Sequence, residues 1–272
     1  MKNIAQVTVK QMMKRIVEGE SSSQASSLAN AIWATDPLFA TLIPSEVFKI
    51  ADFDRRFVLS AQEAWLRLAV ATAKRRLGQI SVGYEIRGTV KTGRLKRIAQ
   101  VLYFLERPEH DKQKAHPDWD SELAYILEGK GKDIPTSIVC DVYAMNRKSG
   151  KRYAFELKSP LPNSDITKVS KEKLLKLYSM EPRQVDEAYF ALPYNPFGTR
   201  DKYNWSFPAR WFDMRKDKVV LIGDEFWDKI GGLGTYQAFI EAVNEIGPEY
   251  KNRIYREFLG IEPPSHTHSG NL

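Results

Sequence analysis

The sequence predicts a mixed α/β fold, a β-sheet flanked by helices, and three observations carry that expectation. A long amphipathic helical stretch precedes the strand-like segments. Two apolar, β-branched runs, SIVCDVYAM (137–145) and RYAFELKSP (152–160), are separated by the turn chemistry of NRKSGK. Helical periodicity then returns in KVSKEKLLKLYSM (168–180), before a third strand-like run, EAYFALPY (187–194).

The first helix is expected from Arg55 to Leu77. Phe57, Ala61, Ala64, Trp65, Leu68, Ala69 and Thr72 recur at the spacing of one helix face, and Ser60, Glu63, Arg67 and Lys74 form the opposite polar stripe. Gly78 follows, as at a helix C-terminus. Residues 82–92 are β-favouring around Gly83 and Gly88, and GRLKRIAQVLYFLE (93–106) is helix-compatible. A polar connection, RPEHDKQKAHPDWD, leads to a short helix, SELAYILEG, with Ser121 or Asp120 as its cap. After the third strand, RWFDMRKDKVVLIG (210–223) contains a fourth. A last helix runs through TYQAFIEAVNEIGPEYKNRIYREFLG, and Gly231, Gly232 and Gly234 supply a tight turn before it.

Composition narrows the class. The 272 residues suffice for a substantial core, and no apolar run reaches membrane-helix length. The N-terminus lacks the apolar block of a secretory signal, and Cys140 is the lone cysteine, so the cytoplasm is the expected compartment. The histidines, His110, His116, His266 and His268, do not have zinc spacing. A net charge of +7 favours a polyanionic partner, because neutralising phosphates releases counterions.

Strand alternation gives the sharpest result. Val139, Asp141 and Tyr143 share one face of the first strand. Arg152, Ala154, Glu156 and Lys158 share one face of the second, and Tyr153, Phe155 and Leu157 point to the other, expected to be the buried one. A hairpin brings Asp141 opposite Glu156 and Lys158. An E-x-K on a strand ordinarily marks a solvated face with a salt bridge. Asp141 is different, because a carboxylate interrupting an apolar strand is costly unless a cation meets it. Two acids and an amine on adjoining strands suit phosphodiester hydrolysis with Mg2+, a hard ion that prefers carboxylate oxygens and retains waters. Asp141 and Glu156 are the expected ligands, with the Leu157 carbonyl as a further one. Lys158 is expected to orient the attacking water and stabilise the charged transition state.

D141-x14-E156-x-K158 resembles the PD-(D/E)xK nuclease motif. FALPYNPFG (190–198), RWFDM (210–214), VLIGDEFWDKIGGLGTY (220–236), HPDWDSEL (116–123) and the stretch from LIPSEVFK (42–49) to DRRFVLS (54–60) resemble the TdeIII family of type II restriction endonucleases. The likeness runs from about residue 36 to 255 and implies a restriction-endonuclease-like fold. It also implies Mg2+-dependent cleavage of double-stranded DNA at a short palindrome, G/C-rich and interrupted in the manner of GGNCC. A homodimer would match the palindrome, and a cognate DNA methyltransferase would be the genetic partner. A structure-specific repair or junction-resolving nuclease of the same fold, and a non-catalytic DNA-binding module, are the rival readings. One nuclease domain is expected over residues 1–272, with 1–35 a helical or flexible extension and 262–272 a disordered tail.

Other residues carry two readings each. Glu63 pairs with Arg67 at i+4 or reaches the metal through water. Asp118 and Asp120 cap and turn the chain, or help position metal or DNA. Lys91, Arg94, Lys96 and Arg97 form a solvated basic face. Lys168, Lys171, Lys173 and Lys176 follow the active strand, and Lys168 and Lys171 are taken as phosphate contacts. The loop-rich segment with Asn195, Arg200, Lys202, Asn204, Trp205, Arg210 and Arg215 is the expected recognition region, with Asn195, Arg200 and Arg210 as DNA contacts.

Overall fold

The computed structural model describes residues 1–18, 45–107 and 116–264. The expected extension from residue 19 to 35, which includes the polar run SSSQASS (21–27), His110, the two C-terminal histidines and most of the expected tail lie outside them. The described chain forms two compact units, one of residues 1–68 and 237–272, the other of residues 69–236.

The first unit is helical. It contains α1 (Lys2–Glu18), most of α2 (Ser45–Arg76) and most of α8 (Thr235–Arg253), the last continuing into a π-turn at Ile254–Phe258. Met13 and Ile16 of α1 bury against Ile246 and Tyr250 of α8, with Phe53 of α2 packed alongside. The buried stripe of α2 departs from the sequence expectation. Phe57 is 38% exposed and stacks on Phe53, whereas Ser60, assigned to the polar stripe, is 9% exposed. Ala64, Leu68, Ala69 and Thr72 are buried as expected, and Ser60, four residues before Ala64, extends their side of the helix in place of Phe57.

The second unit is built on a five-stranded sheet in the order β1-β2-β3-β4-β5. β1 (Gly78–Lys91) runs antiparallel to β2 (Asp133–Asn146), from Gly78–Asn146 to Lys91–Asp133. Sequence reading recognised β1 as β-favouring without counting it as a strand, and it started β2 four residues late. Pro135 masks that end of β2, which pairs with β1 on one side only, so a missing N–H is tolerated there. β3 (Arg152–Leu157) returns antiparallel to β2 through the expected turn, where Gly150 has φ +72° and donates its N–H to the Asn146 carbonyl. α5 (Ser164–Ser179) crosses over to β4 (Glu187–Leu192), parallel to β3; the short α6 (Ser206–Ala209) follows, and β5 (Val220–Ile222) pairs parallel to β4 at the sheet edge.

Both sheet faces are covered. On one, α3 (Thr92–Glu106), α4 (Trp119–Leu127) and α5 close a core around Leu102, Trp119, Leu174, Phe190 and Phe212. On the other, Phe155 of β3 meets Phe226 of α7 (Asp224–Gly231), a short helix that sequence periodicity did not isolate. α4 is capped by Asp118, whose carboxylate accepts the Ser121 N–H at 3.1 Å, so the cap precedes both residues expected to provide it. Among the described residues no helix is long and apolar enough to cross a membrane.

Glu187 opens β4 and ties the sheet to its surroundings. Burial raises its carboxyl pKa, yet Lys151 (2.5 Å), Lys229 (2.7 Å) and the Tyr189 hydroxyl (2.5 Å) hold it at about 2, below its ordinary 4.5. A lowered folded pKa means stability present above pH 4.5 and lost as the pH falls through 2. Glu187→Gln should therefore cost about 1–2 kcal/mol at pH 7, discounted because the side chain is partly exposed. Urea unfolding at pH 7 and pH 3 checks this, and an equal loss at both would rule out the electrostatic account.

Candidate active site

The site forms where the central strands stop pairing. The β2–β3 ladder ends at Val142–Phe155, so Asp141 and Glu156 are the next facing positions. On its other side, the β1–β2 register is continuous except at Gly83–Asp141, where Gly83 takes φ +59°. Asp141 thus sits at a discontinuity in both ladders. Its carboxylate substitutes for a backbone acceptor, taking the Leu157 N–H on Oδ2 at 2.8 Å. The Lys158 N–H is used on the opposite edge by the Ala191 carbonyl of β4.

Asp141, Glu156 and Lys158 converge as the sequence predicted. Lys158 Nζ lies 2.7 Å from Asp141 Oδ2 and 3.1 Å from Glu156 Oε2, so one ammonium bridges both acids. This face is more buried on β3 than expected, although the Asp141 side chain remains 34% exposed. Ala154 and Glu156 are each 1% exposed, because α5 covers this side of β3 as α7 covers Phe155 on the other.

Sequence reasoning missed the part played by Lys173. Its Nζ stands 3.1 and 3.0 Å from the two Glu156 oxygens and 2.8 Å from the Val139 carbonyl. The lysine-rich pattern of α5 was visible, but its pairing with Glu156 depends on how α5 crosses the sheet.

The electrostatics follow from burial. Burial pushes the Glu156 pKa up, with Asp141 adding to the rise, and Lys158 and Lys173 only partly offset it. For Lys158, burial favours the neutral amine, but the charges of Glu156 and Asp141 outweigh it and raise its pKa, keeping the ammonium. The neighbouring Cys140 thiol is pushed up to about 12 by burial, then by Glu156 and Asp141. Among the described residues no group of three or more His, Cys, Asp or Glu side chains is arranged to hold a metal. Two carboxylates closing on one cation match a hard divalent ion that completes its shell with carbonyl and water oxygens. Leu157, whose N–H faces Asp141, ends β3 beside them.

The remaining candidates separate clearly. Lys171 is fully buried; its ammonium meets Glu122 at 2.5 Å and the Trp211 carbonyl, so it cannot serve as a phosphate contact. Arg200 is spent on structure, donating to the carbonyls of Arg215, Val220 and Asp217 and pairing with Glu225. Lys168 pairs with Glu106 at 2.8 Å, and the Asn195 side-chain oxygen closes a turn on the Phe197 N–H. Arg210 is exposed. Glu63 pairs with Arg15 and Arg67 within the helical unit. Lys91, Arg94 and Arg97 hold Asp133, Glu181 and Glu128, respectively.

The expected recognition segment lines an open cleft of about 1020 Å³ with His116, Asp118, Asn204, Trp205 and Arg215. It is anchored to the exit of β3, because the Tyr203 hydroxyl and the Trp205 indole N–H donate to the Pro160 and Pro162 carbonyls at 2.8 and 2.9 Å.

Comparison with known proteins adds independent evidence. Residues 1–247 match a family model described as "Type II restriction endonuclease, HinfI". Three enzymes of Herpetosiphon aurantiacus are similar over 228 residues, 82% of this chain and 81% of each relative. They are the type II restriction enzymes HgiEI and HgiBI, both 26% identical, and HgiCII, 25% identical.

The Lys171 assignment is testable. Lys171→Met should leave Glu122 buried without its cation and cost about 3 kcal/mol, and adding Glu122→Met should recover much of that. Urea unfolding measures both effects. A phosphate contact would instead leave stability intact and reduce the salt slope of DNA binding by about one.

Proposed function

The chain belongs to the HinfI family of type II restriction endonucleases, and on that premise we propose that it cleaves double-stranded DNA at a short palindromic site with Mg2+, using Asp141, Glu156 and Lys158. The family match takes in α1 and every segment quoted as resembling the TdeIII family, so that resemblance is read as kinship in fold and enzyme class. The observation that carries the proposal is the Lys158 ammonium held between two carboxylates where β2 and β3 part.

Asp141 and Glu156 are the side chains that would hold the ion, with the Leu157 carbonyl as a third donor. Bound there, Mg2+ supplies polarisation of the phosphoryl group and a more acidic water. Lys158 is placed to orient the attacking water and to stabilise negative charge building on the phosphate oxygens. Burial strengthens both effects by excluding competing solvent.

The net charge of +7 attracts the duplex, and exposed Arg210, with Lys168 and Asn195, are the proposed contacts to it. Base reading is assigned to the cleft-lining segment around Asn204 and Arg215, and a GGNCC-like site is the proposed target. Two copies related by a two-fold axis would place one centre on each strand of such a site. A methyltransferase modifying the same sequence would protect the host DNA, and the compartment proposed is the cytoplasm.

Incubation of the protein with plasmid DNA and Mg2+ should give discrete fragments with 5′-phosphate ends. Asp141→Ala and Lys158→Ala should each slow cleavage by about a thousandfold or more, with duplex binding in Ca2+ kept within roughly tenfold. Undiminished cleavage in either variant would reject the site. Cutting governed by DNA structure and indifferent to sequence would replace the restriction reading with a repair nuclease.

A further inference from the structure

The geometry points to Lys173 as a positioning residue that keeps the centre electroneutral until DNA arrives, so that a divalent ion is held firmly only once the scissile phosphate adds negative charge. This rests on the nuclease reading above.

Three features of the structure support it. Lys173 Nζ reaches both oxygens of Glu156, at 3.1 and 3.0 Å, and the Val139 carbonyl at 2.8 Å. Val139 belongs to the part of β2 beyond its last rung with β3, so the ammonium supplies a donor where the ladder has ended. The lysine is therefore anchored to the backbone as well as to the acid.

The orientation of α5 is fixed from its other side. Lys171 precedes Lys173 by two residues, about 200° around the helix axis. Its buried ammonium is fastened to Glu122 and to the Trp211 carbonyl. Rotating α5 to withdraw Lys173 would break both contacts.

The two ammoniums also occupy different places. Lys158 spans Asp141 and Glu156, in the gap a divalent ion would take, and is held by those same two acids. Lys173 approaches Glu156 with its separate hold on Val139. Lys158 would therefore have to share its two acids with an ion bound there, whereas Lys173 would keep its hold on Val139.

Charge then determines the consequence. Two carboxylates and two ammoniums cancel, so the resting centre offers an ion little net attraction. Without Lys173 one negative charge remains. A single ammonium about 5 Å from a divalent ion lowers its affinity by roughly tenfold or more. A phosphodiester at the site restores negative charge, which makes metal retention depend on DNA.

Calcium titration calorimetry at pH 8 tests this on wild type, Lys173→Met, Lys173→Gln and Lys173→Arg. Each protein is measured free and saturated with a duplex carrying the mapped cleavage site. Both neutral variants should bind Ca2+ roughly tenfold tighter than wild type, free and with DNA alike because the ammonium acts on the ion in both states, so that without DNA they retain the ion at concentrations where wild type does not, while Lys173→Arg follows wild type. Unchanged or weaker Ca2+ binding by the folded neutral variants, with melting temperature alone altered, would show Lys173 to be merely structural and overturn the inference. If wild type binds no ion even with the duplex, the nuclease reading falls and this inference falls with it.

Discussion

A carboxylate with almost no access to water must find cations, and the arrangement around Glu156 follows from that requirement. In a sheet the backbone N–H groups are committed to ladders, so few donors remain for a side-chain acid. Here the relief comes from Lys158 on the same strand and Lys173 on the helix that crosses it. For Lys158 to reach Asp141 as well, β2 and β3 must part after Val142–Phe155, and Asp141 must take the Leu157 N–H that the ladder no longer uses. Replacing such buried charges with packed apolar residues commonly stabilises a fold. Their presence here is explained by chemistry better than by stability.

α5 links that centre to the segment that lines the cleft. Toward the sheet it presents Lys173; toward the 203–218 segment it presents Lys171 and, at its first residue, Ser164, whose hydroxyl accepts the Trp211 indole N–H at 2.9 Å. The prolines leaving β3 contribute as well. Pro160 and Pro162 have no N–H to donate, but their carbonyls accept Tyr203 and Trp205. The strand that ends in Lys158 and the cleft-lining segment are thus joined by short contacts, with no long flexible linker between them.

Much of this was legible in the sequence because period-two alternation is local. Asp141, Glu156 and Lys158 could be assigned to partner strands of one hairpin from SIVCDVY and FELK, while the register itself came from the structure. The failures involve non-local packing. Alternation told Phe155 from Glu156 but could not show that helices cover both faces, which requires knowing where α5 and α7 lie. Lys171 and Lys173 look alike in a lysine-rich helix, and only the packed structure makes one a buried ion-pair partner and the other a ligand of Glu156. Arg200 is the residue type that reads guanine, yet four of its contacts brace the backbone and Glu225 around β5. Ser60 lies inside because residues four apart align along α2, an alignment that a stripe assigned through Phe57 overlooks.

Cys140 shares the environment of the centre. Its thiol lies next to Asp141 in the chain and is raised chiefly by burial, with Glu156 and Asp141 pushing in the same direction and Lys173 opposing them less strongly. A neighbouring group therefore senses the carboxylates more than the ammoniums, although the formal charges balance. The acids and the amines approach the centre from different elements, Asp141 from β2, Lys158 from the end of β3 and Lys173 from α5. Two lysines can therefore share one carboxylate and still serve different partners, the first yielding part of its hold to an ion and the second remaining to balance the charge.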